Sequence, residues 1–268
     1  MFYIVGLLTV LSLFLGQAKA DVWTSKEMND VVNQTNFIVE EQCSGTLISL
    51  KERLILTNHH CVDNFYSYVE REEVGVDGTV KKVKRVEFRD MTVSQRAYKG
   101  HRKVGATQYQ TEIVATAKKY DLALLRIRAE SLPYSRESKV LPNGTEVLRG
   151  DEAYAVGNPL MLDATVTKGI ISSVNRMFRV PWADNAEVPF IQTDAAISPG
   201  SSGGALYSNG FLVGVPAAGM VGIGLAIPYT TIRQFLDENC WSEVWNSASV
   251  GHDVCVEAKK PKKTENTR

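Results

Sequence analysis

The sequence predicts a mostly-β chain built as two units, with one helix near its C-terminus. Three observations carry this. Short apolar runs rich in Val, Ile and Leu alternate with Gly, Asn, Asp and Pro. Long 3.6-residue periodicity is nearly absent. A polar connector, "SLPYSRESKVLPNGTEVLRG", falls between about Glu130 and Gly150, with two prolines and an Asn-Gly pair. It leaves a β unit of about 100 residues on each side.

In chain order, "MFYIVGLLTVLSLFLGQAKA" opens with an uncharged apolar run from Phe2 to Gly16, followed by the small-x-small pattern Ala18-Lys19-Ala20. This is the pattern of a secretory signal peptide over 1–20, cleaved after Ala20. The run is shorter than the ~20 residues that span a bilayer. The chain is therefore expected to be secreted or periplasmic, with no stable membrane insertion after cleavage. "GTLISL" and "RLILTN" read as strands, as do "LALLRIR", "EAYAVG", "GIISSV", "FLVGV" and "GIGLAIP". The segment from Asp63 to Tyr120 is long and charged. It holds "VKKVKR" and "YKGHRK", but Glu70, Glu72, Glu73 and Asp77 stand nearby, so a solvated face is expected rather than a basic patch. "TTIRQFLDEN", Thr230 to Asn239, reads as a helix capped by Thr230 or Thr231, with Ile232, Phe235 and Leu236 as its apolar stripe. Residues 258–268 are basic and expected to be disordered.

Of 268 residues, 44 % are hydrophobic, and 30 Lys plus Arg balance 30 Asp plus Glu. A neutral chain has no global field drawing it to nucleic acid. No oligomerisation signal is legible, and a monomer is favoured. Four cysteines in an exported chain favour disulfides, and four allow three connectivities. Proximity in sequence favours Cys43–Cys61 and Cys240–Cys255. No Cys-x-x-Cys spacing suggests zinc, and neither metal nor cofactor is expected.

Serine-based amide hydrolysis needs a hydroxyl on a tight turn, a histidine base, a carboxylate to orient that base, and N–H groups for the oxyanion. Each has a candidate. In "ISPGSSGGAL", Ser202 follows Gly200 and precedes Gly203-Gly204, which permit positive φ and close substrate approach. Ser201 lacks those flanks, and Ser198 precedes a proline. "RLILTNHHCV" sets His60 beside Cys61. "KKYDLALLRIR" sets Asp121 directly before an apolar strand. Taken singly, each has a structural explanation: a plain turn, a histidine beside a disulfide, a strand-start cap. The order His60, Asp121, Ser202, each in the right local context, points to hydrolysis.

These strings resemble trypsin-like serine proteases of the two-barrel type. "CSGTLIS…LTNHHCV", "YDLALLRI" and "GSSGGAL" are similar to that family's three signature blocks. "AYAVGNPLMLDATVTKGIISSVNR", "IQTDAAISPGSSGGAL" and "GIGLAIP" resemble the HtrA-like (DegP-type) branch. The resemblance covers about Gln42 to Glu238. It implies an all-β fold of two six-stranded antiparallel barrels with a C-terminal helix, forming a protease domain over 21–250. Barrel one would span about 35–130, barrel two about 147–230, and the helix about 230–239. It implies base, orienter and nucleophile roles for His60, Asp121 and Ser202, and an oxyanion hole from the N–H groups of Gly200 and Ser202 with Ser201 adjoining. It implies a primary pocket floored near Ala196 and Ile197 and walled by Ala217, Ala218, Gly219, Gly224, Leu225 and Ala226. None of these carries charge, so cleavage after small or medium apolar residues of protein or peptide substrates follows. Asp194, upstream of the floor, is read as structural.

The chain departs from the family pattern in four respects. About thirty residues follow the helix, and no PDZ-like domain is expected among them. The stretch between His60 and Asp121 is longer than in the HtrA-like branch. Cys43 and Cys61 are closer to secreted trypsin-like enzymes. Ser201, uncharged, stands where zymogen-type enzymes carry an aspartate, and "DVWTS" is unlike their cut terminus, so no activation through a buried N-terminal ammonium is expected. A catalytically silent scaffold on the same fold is the alternative. It would be favoured by loss of one of the three residues, and all three are present.

Overall fold

The computed structural model describes residues 23–40, 42–74, 78–99 and 102–259. The expected signal peptide and residues 260–268 of the expected tail lie outside them. The described chain begins with α1 (Ser25–Thr35), then β1 (Asn36–Val39), β2 (Cys43–Ser49), β3 (Leu54–Thr57), β4 (Tyr66–Val74), β5 (Val80–Phe88), β6 (Met91–Lys99), β7 (Arg102–Ala117) and β8 (Leu122–Ile127). The second half holds β9 (Glu152–Gly157), β10 (Thr165–Arg179), β11 (Glu187–Thr193), β12 (Ala205–Ser208), β13 (Phe211–Met220), β14 (Ile223–Pro228), α2 (Tyr229–Glu238) and α3 (His252–Lys259). Two closed antiparallel barrels result, ordered β1-β2-β3-β8-β7-β6 and β10-β11-β14-β13-β12-β9. The all-β two-barrel class read from the sequence is the observed fold.

The strand sequences explain how the barrels pack. Along β8, Ala123, Leu125 and Ile127 fill barrel one with Phe37, Leu47, Ile55 and Val93. Leu122 and Leu124 alternate to the other face, where they meet Val156, Tyr207, Leu212, Val215 and Ile227 of barrel two. "LALLRI" is nearly unbroken in apolar residues because both its faces are buried. Barrel two has its own interior of Leu141, Ala155, Ile171, Ile191, Leu206, Val213 and Ala226.

Three local expectations are corrected. First, α1 was not expected. Thr24 and Glu27 form a reciprocal capping box, with the Glu27 N–H donating to Thr24 Oγ1 and the Thr24 N–H to the Glu27 carboxylate (2.8 Å). Met28, Val31, Val32 and Thr35 form the buried stripe, but Asn29, Asp30, Asn33 and Gln34 between them obscure it. Second, α2 is not capped by Thr230 or Thr231. It starts at Tyr229 after Pro228, which has no side chain able to cap and whose extended backbone ends β14. The stripe Ile232, Phe235 and Leu236 is buried as expected. Third, residues 258 and 259 are not disordered: they close α3, which the Cys240–Cys255 disulfide ties to the end of α2.

The long segment before Asp121 is a separate two-stranded sheet, β4–β5, plus an extended β6–β7 hairpin. Glu70 and Glu72 stand opposite Lys84 and Lys82 on one face and Glu73 opposite Lys81 on the other, so these three lysines are exposed and charge-matched.

Where the barrels meet, Asn158 is 4 % exposed. Its backbone N–H and Nδ2 donate to Ser44 Oγ (2.8 and 3.1 Å), and Nδ2 also donates to the Phe37 carbonyl (2.9 Å). Its Oδ1 accepts from the Ala164 N–H (2.9 Å) and from Asn36 Nδ2 (3.0 Å). Asn158→Ala should strand several of these buried groups at about 1–3 kcal/mol each. The expected result is a lower urea midpoint at unchanged m-value; an unchanged midpoint would show that the seam does not depend on this amide.

Candidate active site

β3 ends at Thr57, and a short 3-10 turn, His59–Cys61, follows. The His60 backbone N–H donates to Asp121 Oδ1 (3.0 Å), and His60 Nδ1 lies 3.0 and 2.9 Å from the two carboxylate oxygens. With Nδ1 donating to the carboxylate, Nε2 is left as the acceptor of the ring. The Asp121 side chain is 4 % exposed and that of His60 46 %, so a buried carboxylate faces a half-exposed imidazole. Asp121 is left-handed, at φ 52° and ψ 43°. That conformation is costly for a side-chain-bearing residue. Its carbonyl accepts from Asn58 Nδ2 (2.9 Å). The Cys43–Cys61 disulfide closes the loop next to His60, worth roughly 3 kcal/mol in the chain-entropy account.

The serine turn comes from barrel two and docks on barrel one through Ser44. The Ser44 N–H donates to the Ser202 carbonyl (2.8 Å), and its hydroxyl donates to the Gly200 carbonyl (2.7 Å). Cys61 Sγ lies 3.9 Å from the same Ser202 carbonyl, which sets Ser202 beside the loop that carries His60. The structure thus brings His60 and Asp121 into direct contact. Among the described residues it gives no hydrogen bond between His60 and the Ser202 hydroxyl. In ligand-free sites such bonds are commonly long and tighten with substrate.

Two peptide planes in the turn are pinned by their carbonyls. Pro199 C=O accepts from the Leu160 N–H (2.7 Å), and Ser201 C=O from the Gly204 N–H (3.0 Å). In a trans peptide the N–H points opposite to the C=O, so the Gly200 and Ser202 N–H groups are turned away from these anchors. Neither donates to protein among the described residues. Gly200 sits at φ +95°, open to glycine and strained for other residues. The expectation for Ser201 is corrected. Its N–H donates to the Ser198 carbonyl (2.9 Å), and its hydroxyl accepts from the Ser198 N–H (3.2 Å). That N–H is spent inside the turn and is not free for an oxyanion. Leu160 itself is left-handed and largely exposed, as is Met161.

On the other side of the turn, Ile197 packs over Gly219 and Gly224, where any added Cβ would crowd its atoms. Ala217 and Ala218 are partly buried, Ala196 is exposed, and Leu225 and Ala226 are buried in the cores. Asp194 Oδ1 accepts from the Ile170 N–H (2.7 Å), a structural role. The one trio of potential metal ligands among the described residues is Cys43, His60 and Cys61; both sulfurs are committed to the disulfide, so the set offers no thiolate.

The sequence left His59 without a role. Its ring lies behind the turn against Thr116, Tyr66 and Asp63. Burial holds its pKa below the ordinary histidine value, and Tyr66 is raised to about 12 by burial and by its bond to Asp63. Only the doubled histidine in "NHH" hinted at it.

A family model for the trypsin-like peptidase domain matches residues 43–215. The chain is 41 % identical over 140 residues to a probable periplasmic serine endoprotease, DegP-like, of Chlamydia trachomatis serovar D, covering 49 % of this chain and 26 % of that protein. It is 39 % identical over 146 residues to the magnetosome formation protease MamE of Paramagnetospirillum magneticum, covering 52 % and 19 %. It is 40 % identical over 127 residues to the putative serine protease HhoB of Synechocystis, covering 46 % and 29 %. The chain therefore spans about a quarter of the length of the curated relatives it matches.

Gly203, at φ +81°, lies so close to the Ser44 carbonyl and to Thr57 Oγ1 that an added Cβ would overlap both. Gly203→Ala should push the serine turn off barrel one. It should lower the melting temperature and abolish any reactivity of Ser202 toward a fluorophosphonate; labelling at the unmodified rate would show that the seam yields without moving the turn.

Proposed function

Because this chain belongs to the trypsin-like peptidase domain family, we propose that it is a serine endopeptidase acting through His60, Asp121 and Ser202. The observation that carries this is the buried Asp121 carboxylate bonded to His60, together with a Ser202 turn whose Gly200 and Ser202 N–H groups are unspent. Ser202 Oγ attacks the scissile carbonyl carbon while His60 Nε2 takes its proton, and Asp121 stabilises the imidazolium through Nδ1–H. The oxyanion receives the Gly200 and Ser202 N–H groups, a type of contact worth about 3–4 kcal/mol in comparable sites. His60 then protonates the leaving amine. Water, deprotonated by the same imidazole, releases the acyl group.

Substrate choice follows from the residues expected to line the primary site, none of which carries charge. A Lys or Arg side chain would be desolvated beside Ile197, Gly219 and Gly224 without a carboxylate partner. Cleavage after Ala, Val, Ile or Leu follows from that chemistry. Export is supported by the N-terminal apolar run, the two disulfides and the periplasmic names of relatives. Among the described residues no helix is long and apolar enough to cross a membrane.

Ser202→Ala should lower kcat by several orders of magnitude, toward the ~10⁶-fold known for a serine nucleophile, while the melting temperature holds. Failure of a fluorophosphonate to label Ser202 in the unmodified chain would sink the proposal. In a peptide library, cleavage should concentrate after small and medium apolar residues; a dominant preference for Lys or Arg would refute the pocket assignment.

A further inference from the structure

Two histidines stand side by side after β3, and the proposed chemistry uses one. The other, His59, is 4 % exposed yet fully partnered. Its Nδ1 lies 2.7 Å from Thr116 Oγ1, and its Nε2 lies 3.2 Å from Tyr66 Oη and 3.3 Å from Asp63 Oδ1. Tyr66 donates its own proton to Asp63 (3.1 Å). Nε2 therefore carries the ring proton and donates, while Nδ1 accepts from the Thr116 hydroxyl. Burial favours this neutral form, with one nitrogen free to accept.

Of the ring's three partners, Thr116 lies on β7, while Asp63 and Tyr66 lie in the short turn before β4 and at its first residue. Thr116 stands near the end of β7, the strand that delivers Asp121. Tyr66 opens β4, at the base of the β4–β5 sheet that stands outside both barrels. His59 is covalently next to His60. The other restraints on the His60 loop act elsewhere: Asn58 bonds to the Asp121 carbonyl, and Cys61 is bridged to Cys43 on β2. Among the described residues the Thr116–His59 bond is the side-chain hydrogen bond that joins this loop to β7. Tyr66 also packs on Tyr68 (5.9 Å between centroids) and Phe88 (6.2 Å), so the anchor point belongs to the aromatic base of the hairpin. A two-stranded hairpin is marginal on its own, and this one is fastened to the ring beside His60.

We propose that His59 is a positioning residue, whose Thr116–His59–Tyr66 chain holds His60 in register with Asp121 and couples that register to the β4–β5 hairpin. The proposal rests on the serine peptidase reading above. Small misplacements of a reacting group cost up to about a hundredfold in rate. His59→Ala in the full chain should therefore lower kcat at least about tenfold with KM within about twofold. The acidic limb of kcat/KM, which reports the free enzyme's base, should move as well. His59→Gln, whose amide can accept from Thr116 and donate to Tyr66, should recover most of kcat and return the limb. Tyr66→Phe, which loosens only the hairpin link, should give a smaller loss of kcat in the same direction. A lower melting temperature with unchanged kcat and an unchanged acidic limb would overturn the proposal, as would failure of His59→Gln to recover activity. If His59→Ala does not fold, Thr116→Val and Tyr66→Phe carry the same test, each removing one hydroxyl. Fluorophosphonate labelling separates the two readings. No labelling of the unmodified chain removes the peptidase reading itself, whereas labelling of His59→Ala at the unmodified rate removes only the coupling.

Discussion

Ser44 holds the two halves of the molecule in one register. Its N–H binds the Ser202 carbonyl and its hydroxyl binds the Gly200 carbonyl, while the same oxygen accepts from the backbone N–H and the side-chain amide of Asn158. One small residue of barrel one therefore fixes both the turn of barrel two and the strand end beside it. This is possible only because the surrounding backbones approach closely. Gly203 lies against the Ser44 carbonyl, and Gly157 lies against the Ser44 hydroxyl. The glycines matter as much for the space they leave as for the conformations they permit.

The placement of the candidate site on this seam follows from how the barrels are filled. Each barrel fills its own interior, and part of its outer face packs against the other barrel, α1 and α2. A close-packed interior resists small displacements, so groups projecting from either side of the seam keep their separation. His60 and Asp121 come from one barrel and Ser202 from the other. The strain in this region is local to the same place. Asp121, Leu160 and Met161 are left-handed without being glycine, and a backbone of that kind persists only where the surroundings determine it. Leu160 shows the use of such strain, since its N–H holds the Pro199 carbonyl outward and turns the Gly200 N–H the other way.

Much of the candidate site was legible. The glycine flanks singled out Ser202 from its neighbours, and the apolar strand after Asp121 marked that residue as partly buried. The Ser201 N–H was not legible, because its commitment to Ser198 depends on the path of a turn that no composition rule specifies. His59 escaped for a related reason. Thr116 lies 57 positions away, and nothing local announces such a bond. Helix α1 carried a signal, Thr24 with Glu27 and the spacing of Met28, Val31, Val32 and Thr35, but weak helix formers diluted it.

The sequence by itself determined the strand content, the break between two β units, the apolar stripe of α2 and the choice of His60, Asp121 and Ser202 as candidate side chains. These depend on local patterns: alternation, turn residues and immediate flanks. Only the tertiary structure decided that the Ser201 N–H is spent inside the turn and what the second histidine touches. Those outcomes depend on closing two barrels and pressing them together. A hydrogen bond across more than a hundred positions, as between Ser44 and Ser202, is set by packing that no short window of sequence contains.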